Sequence, residues 1–247
     1  MKTHLPDTLF LQTTPSTNSY LSDLLSQGTF PQGYCVCSRF QSAGRGQAGN
    51  VWESADAENL LFSLLLHTQK FPLDRQFLLS EVVSIAICRF LSRYQISARI
   101  KYPNDIFVGD KKIAGILIEN RIVGKAMQYS IVGIGLNVNQ EVFIQNKATA
   151  TSMRSITGER YHIDVLLQSL RHEILDRVDS FSIENKDECK DLYFSLLYRR
   201  DGYYPYEADG VRFDAKIVDI ADDGMLHLTT DKGEERKYFF KQVRFII

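Results

Sequence analysis

The spacing of apolar and polar positions divides the chain into segments of different period. "STNSYLSDLLSQG" opens with three residues of capping type, Ser16, Thr17 and Asn18, and then sets Tyr20, Leu21, Leu24 and Leu25 on one face before Gly28. A short amphipathic helix is predicted. "GYCVCSRF" and "NLLFSLLLHT" are compact apolar runs that predict strands, so the polar, glycine-rich stretch between them, from Gln41 to Gly49, must be a loop. From Asp74 to Tyr94 the residues Phe77, Leu78, Val82, Ile85, Ala86 and Phe90 recur at helical spacing behind Asp74 as a capping residue. This is expected to be the longest helix on the sheet.

"ARIKYPNDIFVGDKKIAGILIEN" predicts a strand, a proline-marked turn, a second strand, a hairpin turn at Gly109 and Asp110, and a returning strand. "AMQYSIVGIGLNVNQ" predicts a longer strand in which Gly133 and Gly135 admit a close neighbour, with Asn137 and Asn139 sharing one face. Two helices are expected between Ile163 and Tyr198. Beyond Asp201 the texture changes to short alternating runs broken by glycine, which divides the chain into a main domain over 1–200 and a small β module over 201–247.

Composition narrows the class. With 247 residues, 44% hydrophobic, 24% charged and a net charge of -1, the chain reads as an ordinary globular protein able to bury a sizeable core. No basic segment precedes an apolar run at the N-terminus and the longest apolar runs are strand-sized, so neither a signal peptide nor a membrane span is expected. Cys35, Cys37, Cys88 and Cys189 form no C-x-x-C pair. They are expected to be buried free thiols in a reducing cytoplasm rather than metal ligands. Near-zero net charge without Lys/Arg blocks argues against nucleic acid as a partner.

Three stretches carry candidate chemistry. "GRGQAG" has the dinucleotide spacing G-x-G-x-x-G at Gly44, Gly46 and Gly49, but "NVWES" and a strand follow it where a helix should begin. No P-loop pattern is present either. What the loop does offer is backbone N–H groups and one cation, Arg45, between Gln41 and Trp52, a set suited to a phosphate or an acyl phosphate. A solvent-exposed loop without function is the alternative. The second stretch places Asn104 and Asp105 after Pro103, with Lys111 and Lys112 just past a hairpin turn so that alternation sends them to opposite faces. One of the two lysines can point into a cleft, and a solvated charge is the alternative. The third is "GIGLNVNQ", with Asn137 and Asn139 beside two glycines.

Taken in order, "STN", "QSAGRGQAGNVW", "KYPNDI", "KKIAGILIE" and "GIGLNVN", followed by a small β module, resemble the biotin protein ligases, also called biotin-[acetyl-CoA-carboxylase] ligases. The resemblance runs over nearly the whole chain. It implies an α+β fold: a mixed sheet with packed helices, similar to class II aminoacyl-tRNA synthetases and lipoate ligases, plus a C-terminal SH3-like β-barrel. It also implies a two-step reaction, in which biotin and ATP with Mg²⁺ give biotinyl-5'-adenylate and one lysine of a carboxylase's biotin carboxyl carrier domain then takes the biotin. No Ser/His/Asp or Cys/His arrangement is present, so catalysis is expected from positioning and charge.

The roles implied by resemblance fall on particular residues. Ser16, Thr17, Asn18 and Gln41 match positions that hydrogen-bond the biotin head group. Gly44, Arg45, Gly46 and Gln47 match the loop that closes over biotin and the adenylate phosphate. Lys112 matches the lysine beside the biotin carboxyl, and with Arg45 it is the implied catalytic pair. Gly115 matches a close backbone approach to biotin, Trp52 an aromatic near the nucleotide, and Asn137 a polar contact on the nucleotide side. Asn104 is implied near the nucleotide and Asp105 at the metal.

The chain also departs from the family. Gln47 and Asn50 stand where some members carry further arginines, and Tyr102 precedes Pro103 where tryptophan is commoner. With the first helix starting near residue 16, a form without an N-terminal DNA-binding domain is expected. A homodimer is left open, as are a lipoate or octanoyl ligase of the same fold and a non-enzymatic biotin-binding regulator. The β module is expected to stand apart from the ligand, since every fragment assigned to ligand contact lies before residue 140.

Overall fold

Seven consecutive residues, Leu60 to Leu66, are all buried, as a strand covered on both faces requires. In the computed structural model, which describes residues 8–247, this run is strand β3 (Leu60–His67), near the middle of a mixed sheet. Leu60, Phe62, Leu64 and Leu66 join the main core, whereas Leu65 turns to a second cluster with Leu21, Val36 and Ile131. The two faces are covered by different helices.

The elements preceding β3 are β1 (Thr8–Thr14), α1 (Thr17–Gln27) and β2 (Cys35–Gln41), and those following it are α2 (Phe77–Ser92), β4 (Arg99–Lys101), β5 (Asp105–Val108), β6 (Lys111–Val123) and β7 (Ala126–Leu136). Sheet order is β1-β2-β3-β7-β6-β5-β4. The β1–β2 pair is parallel and every other neighbour is antiparallel. Three helices follow, α3 (Met153–Thr157), α4 (Ile163–Ser180) and α5 (Lys186–Ser195). α2, α4 and α5 supply the helical side chains of the main core, while Leu21 of α1 packs on the opposite face.

The last five strands, β8 (Tyr204–Ala208), β9 (Val211–Ile220), β10 (Leu226–Thr230), β11 (Glu235–Tyr238) and β12 (Arg244–Phe245), form a separate antiparallel sheet ordered β11-β10-β9-β8-β12. It docks through Tyr102, whose hydroxyl donates to the Gly224 carbonyl at 2.6 Å, and through the ion pairs Arg75–Asp222 (3.3 Å) and Lys190–Asp219 (3.0 Å). Its buried residues Tyr206, Ile217 and Phe245 belong to the same apolar cluster as α2.

The fold class agrees with the sequence expectation, and several details differ. Asp74 does not cap α2: it sits in one turn of 3-10 helix, Leu73–Arg75, and the helix begins at Phe77 behind Gln76. Asn137 and Asn139 lie just beyond the end of β7, where their amides bond Thr151 and Tyr161. β1 and α3 were not foreseen. All four cysteines are free and buried, and burial pushes the Cys37 thiol up to about 12, far from reactivity. Among the described residues no helix is long and apolar enough to cross a membrane.

Candidate active site

Three glycines of β6 and β7 determine what lies on the open face of the sheet. A Cβ on Gly133 would stand 2.2 Å from Asn18 Oδ1, and one on Gly135 would stand 2.4 Å from Trp52 Cε2. At Gly115 the same atom would be 3.0 Å from the Trp52 ring and 3.1 Å from Lys112 Cε. The bare strands therefore seat Asn18 at one end and Trp52 with Lys112 at the other. Between them runs a cleft of about 220 Å³, lined also by Ser16, Thr17, Gln41, Arg45, Gln47, Lys101 and Asp105.

The inner end is a chain of hydrogen bonds among uncharged side chains, anchored on the Glu119 carboxylate. Asn18 Nδ2 donates to Glu119 Oε2 (2.7 Å) and to the Leu117 carbonyl (3.3 Å), which leaves its Oδ1 to accept from Ser63 Oγ (2.6 Å). Ser63 Oγ also lies within donating distance of Thr17 Oγ1, at 2.7 Å, and the Thr17 hydroxyl donates in turn to Gln41 Oε1 at 3.1 Å. Gln41 Oε1 then receives the Thr17 backbone N–H at 2.7 Å. Ser16, Thr17 and Asn18 are all buried, and the Ser16 hydroxyl and the Gln41 Nε2 group have no protein partner among the described residues. A donor and a hydroxyl are thus left for a ligand.

The outer end carries the charge. Lys112 Nζ is 2.6 Å from Asp105 Oδ1 and stands over the Trp52 ring, 5.4 Å from its centroid. A tight hairpin turn with Gly109 at φ +56° brings β5 and β6 together and sets this pair. Asn104 is spent on structure: its side chain donates to the Ile116 carbonyl, and its own carbonyl accepts from Ile116 N at 3.2 Å.

The glycine loop folds back over the cleft as a narrow hairpin. Arg45 bridges Val51, Gly46 N donates to the Asn50 carbonyl at 2.7 Å, and Trp52 N donates to the Gly44 carbonyl at 2.9 Å. Gly44 is needed for this fold, since a Cβ would fall 2.8 Å from the Trp52 carbonyl oxygen, and at Gly46 a Cβ would crowd Asn50 at 3.2 Å. Arg45 ends 3.0 Å from Glu119 Oε2. One carboxylate thereby ties the loop to Asn18.

A second cavity of about 520 Å³ continues past Trp52 and Lys112, bounded by Asn50, Phe107, Asn137, Phe143 and Asn146. Glu53 shapes its rim by accepting backbone N–H bonds from Ile144 (2.5 Å), Gln145 (3.0 Å) and Asn146 (3.2 Å). Three buried polar atoms in these walls have no partner: Gln47 Oε1, Trp52 Nε1 and Asn137 Oδ1. Unpaired buried groups are costly, and here they line the space a ligand would fill.

Every residue expected at the site except Gly44 lines one of the two cavities. Ser63, Glu53, Glu119 and Lys101 were missed. The β module was expected to stand apart; instead Phe240 from the turn after β11 lines the cleft. A metal fares differently. Among the described residues no cluster of three His, Cys, Asp or Glu exists, and the nearby carboxylates Asp105 and Glu119 are each bound to a cation. The side chains do not form a metal site of their own.

A family model described as the biotin/lipoate A/B protein ligase family matches residues 10–137, which hold the loop, the Lys112–Asp105 pair and both glycine-bearing strands. The chain belongs to this family. It is 28% identical to the bifunctional ligase/repressor BirA of Bacillus subtilis over 218 residues, 87% of this chain and 67% of that one. With the human biotin--protein ligase it shares 28% over 239 residues, 92% of this chain and 32% of the relative. Among solved structures it is similar to the biotin protein ligase of Aquifex aeolicus in complex with biotin and ATP, with TM-score 0.79 and 24% identity over 97% of this chain and 99% of that one. For this ligase-family member the likeness carries the fold.

Proposed function

We propose that the protein is a biotin–protein ligase, which joins biotin to AMP from ATP and then passes biotin to a lysine of a carboxylase carrier domain. The observation that carries this reading is a pair of cavities that share the Trp52–Lys112 wall, the first lined at its inner end by uncharged hydrogen-bonding side chains and at its outer end by the lysine–aspartate pair. A cyclic urea is neutral and has both N–H donors and a carbonyl acceptor, which suits Ser16, Thr17, Asn18 and Gln41. The apolar dithiolane of a lipoyl group would leave the Ser16 hydroxyl and the Gln41 Nε2 group unpaired, and this disfavours the lipoate reading.

With the head group at Asn18, the acid tail runs over Gly115 toward Lys112 and Trp52. Lys112 neutralises the tail carboxylate and holds it where its oxygen can attack the α-phosphorus of ATP seated in the second cavity, breaking the bond to the β-phosphate oxygen and releasing pyrophosphate. Asp105 keeps the Lys112 ammonium in place. Negative charge then builds on the phosphoryl oxygens, and Lys112, Arg45 and loop N–H groups are the donors near enough to receive it. The Trp52 N–H and the Asn137 and Gln47 side-chain oxygens supply the remaining donor and acceptors. Mg²⁺ would arrive on the phosphates of ATP, since the side chains here do not build a site for it. In the second step the carrier amine displaces AMP from the acyl carbon. Loss of water from the cleft under the closed loop protects the mixed anhydride until then.

Incubating the protein with ATP, Mg²⁺, a purified carrier domain and either biotin or lipoate tests the reading. Mass spectrometry should find one biotinyl group on one carrier lysine and none from lipoate. Lipoyl transfer, or no transfer to any carrier while biotin still binds, would overturn it in favour of the lipoate ligase or the biotin-binding regulator.

A further inference from the structure

Lys101 ends β4 directly across from Asp105, and Asp105 is already given to Lys112. Two ammonium groups thus face one carboxylate. Of the three cations that line the cleft, Arg45 is paired with Glu119 and Lys112 with Asp105, whereas Lys101 has no hydrogen bond or ion pair to any described residue. Its ammonium stands over two rings instead, 5.3 Å from the Phe107 centroid and 5.1 Å from that of Phe245. Phe107 belongs to β5, but Phe245 comes from β12 and is buried against the main domain.

Aromatic faces can hold a cation, yet they do not replace the hydrogen bonds it had in water. Burial holds the Lys101 ammonium below the ordinary lysine pKa; Lys112 and Arg199 push the same way, and Asp105 opposes them. A lysine kept in such surroundings without an acceptor is aimed at an anion that the protein does not supply. The two paired cations cancel against their carboxylates, so Lys101 is the surplus positive charge of the cleft wall.

We propose that Lys101 is a second binding cation of the reacting centre, taking a phosphoryl oxygen of bound ATP, and that Phe245 is the positioning residue through which the C-terminal β module holds it there. This rests on the ATP-dependent reading above. The β module is then part of the first half-reaction. Without Phe245 one wall of the lysine's seat is gone, and the side chain is free to swing to solvent or compete for Asp105.

Biotin-dependent pyrophosphate exchange into ATP tests the pair, with biotin affinity measured separately by quenching of Trp52 in the absence of nucleotide. Lys101→Met, whose thioether suits a seat between two rings, should lower kcat/KM for ATP by about 10- to 100-fold, the usual scale for losing one charge-assisted contact. Biotin affinity should stay within about twofold, because Lys101 is remote from the head-group end. Lys101→Arg keeps the charge and should recover most of the loss. Phe245→Leu should lower the same parameter by less, and the double variant should be no worse than Lys101→Met alone, as expected of two residues acting through one contact.

If Lys101→Met fails to fold, Lys101→Gln carries the same comparison. Unchanged kcat/KM for ATP in a folded neutral variant, an arginine variant as poor as the neutral one, or additive effects of the two sites would overturn the proposal. Wild-type protein lacking biotin-dependent exchange would instead overturn the functional reading, and this proposal with it.

Discussion

Trp52 lies so close over Gly135 that a Cβ on that glycine would stand 2.4 Å from its Cε2. The glycine is therefore a seat for the indole, and the indole in turn forms the floor where the two cavities meet. Trp52 is also the chain's single tryptophan, so its emission reports this position alone. Gly135→Ala should displace the ring, shift the emission toward that of a solvated indole and cost about 1–3 kcal/mol of stability in chemical denaturation, the usual range for overpacking a filled site. Unaltered emission and an unaltered midpoint would mean that the ring is not held there.

Lys112→Ala should leave the fold intact, since the side chain is partly exposed at the mouth of a hairpin. Adenylate formation should fall by about 2–4 kcal/mol in the barrier, the scale for removing one aimed donor. Undiminished exchange in a folded variant would remove Lys112 from its assigned role.

Between Phe40 and Val51 the loop carries no apolar side chain except two alanines, and it is tied down by a few backbone bonds and the half-exposed Arg45–Glu119 pair. Exposed pairs contribute about 0–1 kcal/mol, against an ordering cost of roughly 1–2 kcal/mol per residue. Ligand contacts must make up the difference, so the closed form should be populated chiefly with ligands present. Trypsin should cut at Arg45 in the free protein and be blocked when biotin and ATP are both added. Equal cleavage in both states would show that the loop does not close over ligand.

Glu81, in α2, is a buried carboxyl facing α5 and the β module. Burial raises its pKa to about 8; Asp222 and Asp219 add to this, while Lys190 and Lys186 oppose it. One of its oxygens has no hydrogen-bond partner. Its folded pKa exceeds the unfolded value, so between about pH 4.5 and 8 the unfolded chain gives up a proton that the folded chain keeps, and stability falls as pH rises across that window. Glu81→Gln removes the ionisation. It should match the native protein below about pH 4 and be more stable at pH 8 to 9 by about 4–5 kcal/mol. A stability difference that does not change with pH would contradict this.

How much of this could be read from the sequence depended on whether the signal was local. The apolar run at β3, the Gly109–Asp110 hairpin and the period of α2 are short-range patterns, and the structure follows them. β1 escaped because "TLFLQTT" is a half-exposed edge strand, held by parallel pairing with β2 rather than by a strong alternation of its own. Asp74 is a good capping residue one turn too early, and tertiary packing of Phe77 decides where the helix starts.

In the site, the loop, Lys112 and the "STN" residues were legible as polar groups in unusual surroundings. Ser63 left the same kind of trace, one hydroxyl inside a run of leucines, and could have been found. Glu119 and Lys101 stand at the ends of two of the quoted fragments, "KKIAGILIE" and "KYPNDI", but their roles arise only when β6 meets α1 and the glycine loop, and when β4 meets β12.

Biotin-dependent exchange of labelled pyrophosphate into ATP by the unaltered protein bears most directly on the central claim, because it needs the head-group end, the charged middle and the second cavity to work together. Label should enter ATP when biotin and Mg²⁺ are present and should fall to background when biotin is left out or replaced by lipoate. Exchange that ignores biotin, or no exchange by a protein that binds biotin, would contradict the claim.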